Sequence, residues 1–240
     1  IRMGDVIFAR PRTDYGSYVD LYRLIELAGY PLIFADEIER DSDNAYIVTV
    51  LNGETQNGWD GARARIVLWD LEYHLDGIPP IPGVSEVWAS DKWYAGCIGA
   101  RYVLIGSDER LVDGAPADGS IDYDVAFLAY MVGRRQRIAG ELHAQGVHLS
   151  PSSAWEAERH RVLSRSRVYL CVHQHDHVPT IAPLRMVVAA AYRLPVISET
   201  VADRGAFETG DLMTSDYSHL ADFVRMWTKG ENNHHRLADY

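Results

Sequence analysis

The densest run of reactive side chains in the sequence is His173-Gln174-His175-Asp176-His177, with Glu199 following on the far side of an apolar segment. Three alternating histidines in an extended segment share one face, so metal ligation is one reading. A second reading is surface histidines with no common role. A third, which is preferred, is a single histidine, His173 at the strand end, contacting substrate. A binuclear metal site of the H-x-H-x-D-H type needs one residue more than this run supplies, and Cys171 is the sole nearby thiol and is expected to be buried. No metal is therefore assigned. Gly133-Arg134-Arg135 forms another candidate, in which two guanidiniums at a helix start suit a diphosphate. Arg10, Asn52, Glu72 and Asp91 each follow an apolar run and complete the set.

These residues need elements to hold them. Val168–Val172 reads as a buried strand, about Thr180–Tyr192 as an apolar helix, and Leu194–Ser198 as a second buried strand. Two β-branched strands around one helix predict a crossover in a parallel sheet, where ligands sit at strand C-terminal ends beside helix N-termini. His173 and Glu199 fall just past two such ends. Similar apolar runs occur at Met3–Ala9, Leu32–Phe34, Tyr46–Leu51, Arg65–Trp69, Val84–Ala89, Tyr102–Ile105 and Val125–Tyr130, with a short one near Val147. Helical spacing fills Ser17–Ala28, with Gly29 as its stop, then Lys92–Cys97, Arg135–Ala144, Ala154–Leu163 and Tyr217–Trp227. The alternation predicts an α/β protein with largely parallel sheets. Ser107–Asp122, rich in Asp, Gly and Ala, reads as a linker. The expected division is 1–110, a linker at 111–122, and 123–240.

The chain has 240 residues, 47% hydrophobic and 24% charged, which suits a protein with a substantial core. Its net charge of −11 argues against a protein that lives by non-specific phosphate binding. Local clusters remain, at Arg134, Arg135 and Arg137 and at Arg159, Arg161, Arg165 and Arg167, which read equally as a basic groove or as solvated helix faces. No apolar run approaches the roughly 18–20 residues that span a bilayer. No secretory pattern opens the chain, and its start at Ile1 predicts a few further residues ahead of it. Cys97 and Cys171 are far apart on apolar or small-residue stretches, so a reduced, cytoplasmic setting is expected and a disulfide is not. There is no G-x-G-x-x-G after the first strand, no Walker loop and no G-x-S-x-G elbow.

The second half resembles the C-terminal lobe of GT-B-fold glycosyltransferases. The residues that carry the likeness are the Gly133-Arg134-Arg135 helix start, the strand and histidine loop, and AAAYRLPVISE (Ala189–Glu199). IVLWDLEY (Ile66–Tyr73) and SEVWASDKWYAGCIGARYVLIGS (Ser85–Ser107) are similar to the N-terminal lobes of short phage and bacterial members. Arg193 stands where the family usually has Gly. Many retaining members hold the donor with a pair of glutamates; counting back from Pro195, their places fall at Thr180 and Val188, and Val188 cannot bind a ribose diol.

The resemblance implies two Rossmann-like lobes and transfer of a sugar from a nucleotide-sugar co-substrate, with no resident cofactor and no bound metal. Arg134, Arg135 and Arg185 would serve the diphosphate, with Gly133 opening their helix, and Glu199 the ribose or sugar hydroxyls. His173 would contact the sugar or the reaction centre. Arg10 and Asn52 would lie on the acceptor side, and Glu72 or Asp91 would be the general base if the reaction inverts. A modified base in phage DNA is the narrower acceptor reading, which would place the protein in host cytoplasm. The rivals are a non-catalytic nucleotide- or sugar-binding module of the same fold and a metal-dependent hydrolase using the His173–His177 loop. Oligomeric state stays open.

Overall fold

A computed structural model describes residues 5–12, 18–49, 58–71, 73–74, 76, 78–113, 119–154, 156–180, 182–205 and 212–230. The chain divides into two compact units, Ile1–Asp108 and Glu109–Tyr240.

The first unit holds β1 (Val6–Arg10), α1 (Val19–Leu27), β2 (Leu32–Phe34), β3 (Ala45–Thr49), β4 (Arg65–Asp70), β5 (Val84–Ala89), α2 (Lys92–Ile98) and β6 (Arg101–Tyr102). Its six strands lie in the order β2-β1-β3-β4-β5-β6, every pairing parallel. Ala9, Val48 and Leu68 stand in register and share one buried face with Tyr46 and Ile66. Phe8, Ile47 and Val67 alternate with them onto the other face, where the rings of Phe8 and Trp69 lie 6.2 Å apart. Helix α1 ends as its sequence predicts. Gly29 takes φ +82°, and the Tyr30 N–H returns to the Ile25 carbonyl at 3.2 Å.

The second unit holds β7 (Tyr123–Ala126), α3 (Gly133–Ala144), α4 (Glu156–Ser164), β8 (Ser166–Cys171), α5 (Pro183–Ala191), β9 (Val196–Glu199), β10 (Leu212–Ser215) and α6 (Leu220–Lys229). Its four strands run parallel in the order β10-β9-β8-β7. Val125, Val168, Leu170 and Ile197 form one face of the sheet and pack with Ile138 and Leu142 of α3 and with Leu220 and Val224 of α6. The resulting fold is α/β with a parallel sheet in each unit.

The segment read as a linker is partly built into the second unit. Glu109–Val112 forms a 3-10 turn with Leu111 buried, and Asp122 pairs with Arg165 at 3.1 Å, while residues 114–118 lie outside the described set. β7 also stops four residues before the expected Tyr130, because the chain turns to other partners. The Phe127 N–H donates to Ser150 Oγ and the Ala129 N–H to the Ser152 carbonyl, so the backbone leaves the sheet without losing its hydrogen bonds. The short strand expected near Val147 is a single bridge between Leu149 and Val125. β10 was not anticipated.

Candidate functional site

The C-terminal edge of the second sheet gathers most of the candidates. β8 delivers His173, β9 ends on Glu199, and the turn after β7 leads into α3 at Gly133. Gly133 takes φ +50°, a left-handed conformation that glycine adopts without strain. No side chain caps α3, and none caps α5, whose first residue is Pro183. The Arg135 N–H returns to the Val132 carbonyl and the Arg185 N–H to the Ala182 carbonyl, which leaves the Gly133, Arg134 and Leu184 N–H groups to face a ligand, and the helix dipole favours an anion there.

Glu199 is buried and organises the edge. Its Oε1 accepts the His173 backbone N–H at 2.9 Å, and its Oε2 accepts from Arg134. Burial pushes its pKa up, opposed by the Arg134 charge and by the His173 N–H. Arg134 also pairs with Asp176 of the histidine loop and lies 3.9 Å over the ring of Tyr217, whose hydroxyl donates to the Arg134 carbonyl at 3.1 Å. Tyr217 and Asp176 were not singled out in this role by sequence. An arginine bracketed by two acids and an aromatic face is a tertiary fact with no local spacing to announce it.

His173 is buried, and its pKa is pushed down to about 4 by burial first and by Arg134 and Arg135 second. Its Nδ1 lies 3.6 Å from Glu199 Oε2, a contact made by a neutral ring rather than an ion pair. Its Nε2 is buried with no hydrogen-bond partner among the described residues. His175 and His177 are exposed and stack on each other with ring centroids 5.4 Å apart. Among the described residues, no group of three or more His, Cys, Asp or Glu side chains comes together as metal ligands do.

Arg135 is also buried. Its Nε donates to the Val172 carbonyl at 2.9 Å and its Nη1 to Gln174 Oε1 at 3.3 Å, both neutral acceptors. Burial and the neighbouring charge of Arg185 lower its pKa to about 10. Arg185, on the first turn of α5, is close enough to act electrostatically on Cys171 as well, whose thiol burial pushes up. The edge therefore concentrates positive charge, matched by carboxylates at Arg134 but by neutral groups at Arg135. Thr180 and Val188 are both buried, Val188 completely. The missing glutamate pair is thus replaced in space by neither position.

In the first unit, Arg10 at the end of β1 lies over the rings of Tyr22 and Phe34, at 5.2 and 5.0 Å from their centres. Asp91 is buried and caps α2, its Oδ1 accepting the Tyr94 N–H at 2.8 Å, which is the ordinary role of a carboxylate just ahead of a helix. Glu72 and Asn52 lie outside the described residues. A cluster that sequence reading did not assemble, Asp70, His74 and Tyr94, forms at the end of β4.

No protein-family model matches the chain, and no curated protein matches it. Solved structures similar to this chain include two glycosyltransferases. AviGT4, a glycosyltransferase involved in avilamycin A biosynthesis, aligns over 93% of this chain and 88% of its own at 12% identity, with a TM-score of 0.56. The E. coli heptosyltransferase WaaC, solved with ADP-2-deoxy-2-fluoro heptose, aligns over 93% of this chain and 99% of its own at 10% identity. Its TM-score of 0.36 carries no argument. The likeness to AviGT4 is one of fold: this chain resembles a GT-B-like glycosyltransferase in architecture. Among the described residues, no helix is long and apolar enough to cross a membrane.

Proposed function

We propose that this protein is a glycosyltransferase that draws a sugar from a nucleotide-sugar donor, with the donor diphosphate held by the second unit. The observation that carries the reading is the buried Arg135, hydrogen-bonded only to neutral groups among the described residues and set beside Arg185 at the uncapped start of α3. A buried guanidinium without a carboxylate partner is costly, and an anionic ligand offsets that cost. A diphosphate also suits the chemistry, because guanidiniums and helix N–H groups stabilise the charge that develops on the leaving group. His173 Nε2 would then meet a hydroxyl of the donor sugar, and Glu199 would hold Arg134 and the strand ends in place.

Calorimetric titration of UDP-, GDP- and ADP-sugars tests this. One class is expected to bind, and Arg135→Met is expected to weaken it by more than tenfold. No binding by any class to the wild type removes the reading. Transfer is proposed to need no metal, so the rate is expected to survive chelation by EDTA. The finer acceptor proposal, a modified base in phage DNA, is decided by transfer to hydroxymethylated duplex against small hydroxylated acceptors. Support from basic clusters is weakened by pairing: Arg161 and Arg165 meet Asp122, and Arg167 lies 3.7 Å from Asp124.

A further inference from the structure

The two ring nitrogens of His173 face different company. The side chain is 7% exposed, and its Nδ1 lies 3.6 Å from Glu199 Oε2. Both Glu199 oxygens already accept, Oε1 from the His173 backbone N–H and Oε2 from Arg134. The carboxylate therefore presents only lone pairs to the ring. On the other side, Nε2 is buried and has no hydrogen-bond partner among the described residues.

These contacts decide where the ring proton sits. Burial keeps the imidazole neutral at neutral pH, so one nitrogen carries a proton and the other a lone pair. A proton on Nδ1 points toward a carboxylate, whereas a lone pair there is repelled by it. The opposite tautomer also buries an Nε2–H with nothing to accept it. Nδ1–H is therefore favoured, and Nε2 is an orphaned acceptor.

Such an acceptor selects by polarity. The nearby guanidiniums are engaged elsewhere, Arg134 with Glu199 and Asp176, and Arg135 with the Val172 carbonyl and Gln174. An ionised phosphate offers only lone pairs, so it suits Arg135 and the α3 start but not this nitrogen. A hydroxyl can donate to it. We propose that His173 is a specificity-determining residue of the donor site, whose Nε2 demands a donating hydroxyl of the transferred sugar and rejects sugars lacking it. This deepens, and rests on, the nucleotide-sugar reading above. It also sets an order across the edge, with phosphates at the arginines and the sugar at the end of β8.

A first test needs no ligand. Long-range proton–nitrogen correlation on the full chain labelled at histidine is expected to show His173 protonated at Nδ1 and bare at Nε2 at neutral pH. The reverse tautomer overturns the proposal and leaves the functional reading standing. The second test takes whichever UDP-, GDP- or ADP-sugar the wild type binds and replaces each sugar hydroxyl in turn by fluorine, which cannot donate. One replacement is expected to weaken the calorimetric Kd by about tenfold to a hundredfold. Donors with 2′- or 3′-deoxyribose are expected to stay within about twofold. In His173→Phe, the ratio between the sensitive analogue and its parent is expected to shrink to within about threefold. A residue with a purely structural role would weaken parent and analogue alike and keep that ratio. An unchanged ratio, a series with no sensitive sugar position, or sensitivity confined to the ribose overturns the proposal. The wild-type series and the tautomer decide it even if His173→Phe does not fold. Absence of binding by every nucleotide sugar overturns the functional reading, and this proposal with it.

Discussion

The His173 backbone N–H donates to Glu199 Oε1 at 2.9 Å, tying the end of β8 to the end of β9. The other oxygen of the same carboxylate accepts from Arg134 on α3. One buried side chain thus joins two strand ends and a helix start, so the geometry of the edge depends on Glu199 more than on any histidine. The family resemblance implies that Glu199 serves the ribose or sugar hydroxyls; its structural partners make it an organiser of the arginine first.

Glu199→Ala is expected to destabilise the protein by roughly 2–4 kcal/mol, because Arg134 loses a buried partner and the His173 N–H loses its acceptor. Glu199→Gln keeps an oxygen for the N–H and is expected to cost less, about 1–2 kcal/mol. A double-mutant cycle with Arg134→Ala, read by denaturant unfolding, is expected to show coupling above about 1 kcal/mol. Additive effects would mean that the two side chains act independently.

The depressed pKa of His173 makes stability depend on pH. The folded state binds the proton only below about pH 4, whereas the unfolded chain binds it below the ordinary histidine value of 6.5. The unfolded state therefore carries more protons between those values, and stability rises with pH across that window. Cooling-independent measurement at fixed temperature is expected to show a loss of up to roughly 3 kcal/mol as pH falls from 6.5 to 4. In His173→Gln that part of the loss is expected to vanish. An identical pH dependence in both proteins would place the effect elsewhere.

Much of this architecture is written in local pattern. The β-branched runs and helical spacing find most elements within a few residues, since both reflect which face is buried. Gly29 marks a helix end because only its backbone position needs a left-handed residue. β10 is harder to read, since Leu212–Ser215 is four residues with burial at Leu212 alone. The site is legible only in part. Strand-end logic brings His173, Glu199 and the arginines of α3 to one edge. It cannot show that Arg134 is shared by Glu199 and Asp176, or that Asp91 is spent on a helix cap. Asp70 and His74 are four residues apart in sequence, but Tyr94, which hydrogen-bonds to both, comes from α2, and local spacing does not reveal it.

Arg193 offers a test of backbone strain. It is the residue with φ +53°, and no other non-glycine among the described residues has positive φ. It occupies the turn after α5, where the Leu194 N–H returns to the Ala189 carbonyl and the Arg193 N–H to the Ala190 carbonyl, both at 2.9 Å. That pattern favours glycine. A left-handed residue with a Cβ costs about 1–2 kcal/mol, partly offset because glycine frees the unfolded chain by about 0.4–1 kcal/mol. Arg193→Gly is therefore expected to stabilise the protein by roughly 0.5–1 kcal/mol. A fall in Tm would show that the arginine side chain supplies more than the backbone loses.

Asp176 bears on how a donor would reach the arginines. Its carboxylate pairs with Arg134 while its own side chain remains 77% exposed. A carboxylate and a phosphate oxygen use the same guanidinium N–H groups, so donor binding must displace Asp176 or share Arg134 with it. The exposed partner is the cheaper one to release, because pairs of this kind are worth about 0.2–1 kcal/mol. Glu199, buried and held also by the His173 N–H, stays. Asp176→Asn removes the competing charge without removing bulk. It is expected to lower the calorimetric Kd for the bound nucleotide sugar by up to about fivefold, the conversion of 1 kcal/mol. It is also expected to leave the fold intact, since no buried group loses its only partner. A weaker Kd in Asp176→Asn would instead make Asp176 a ligand of the donor or a support for Arg134 in its binding position.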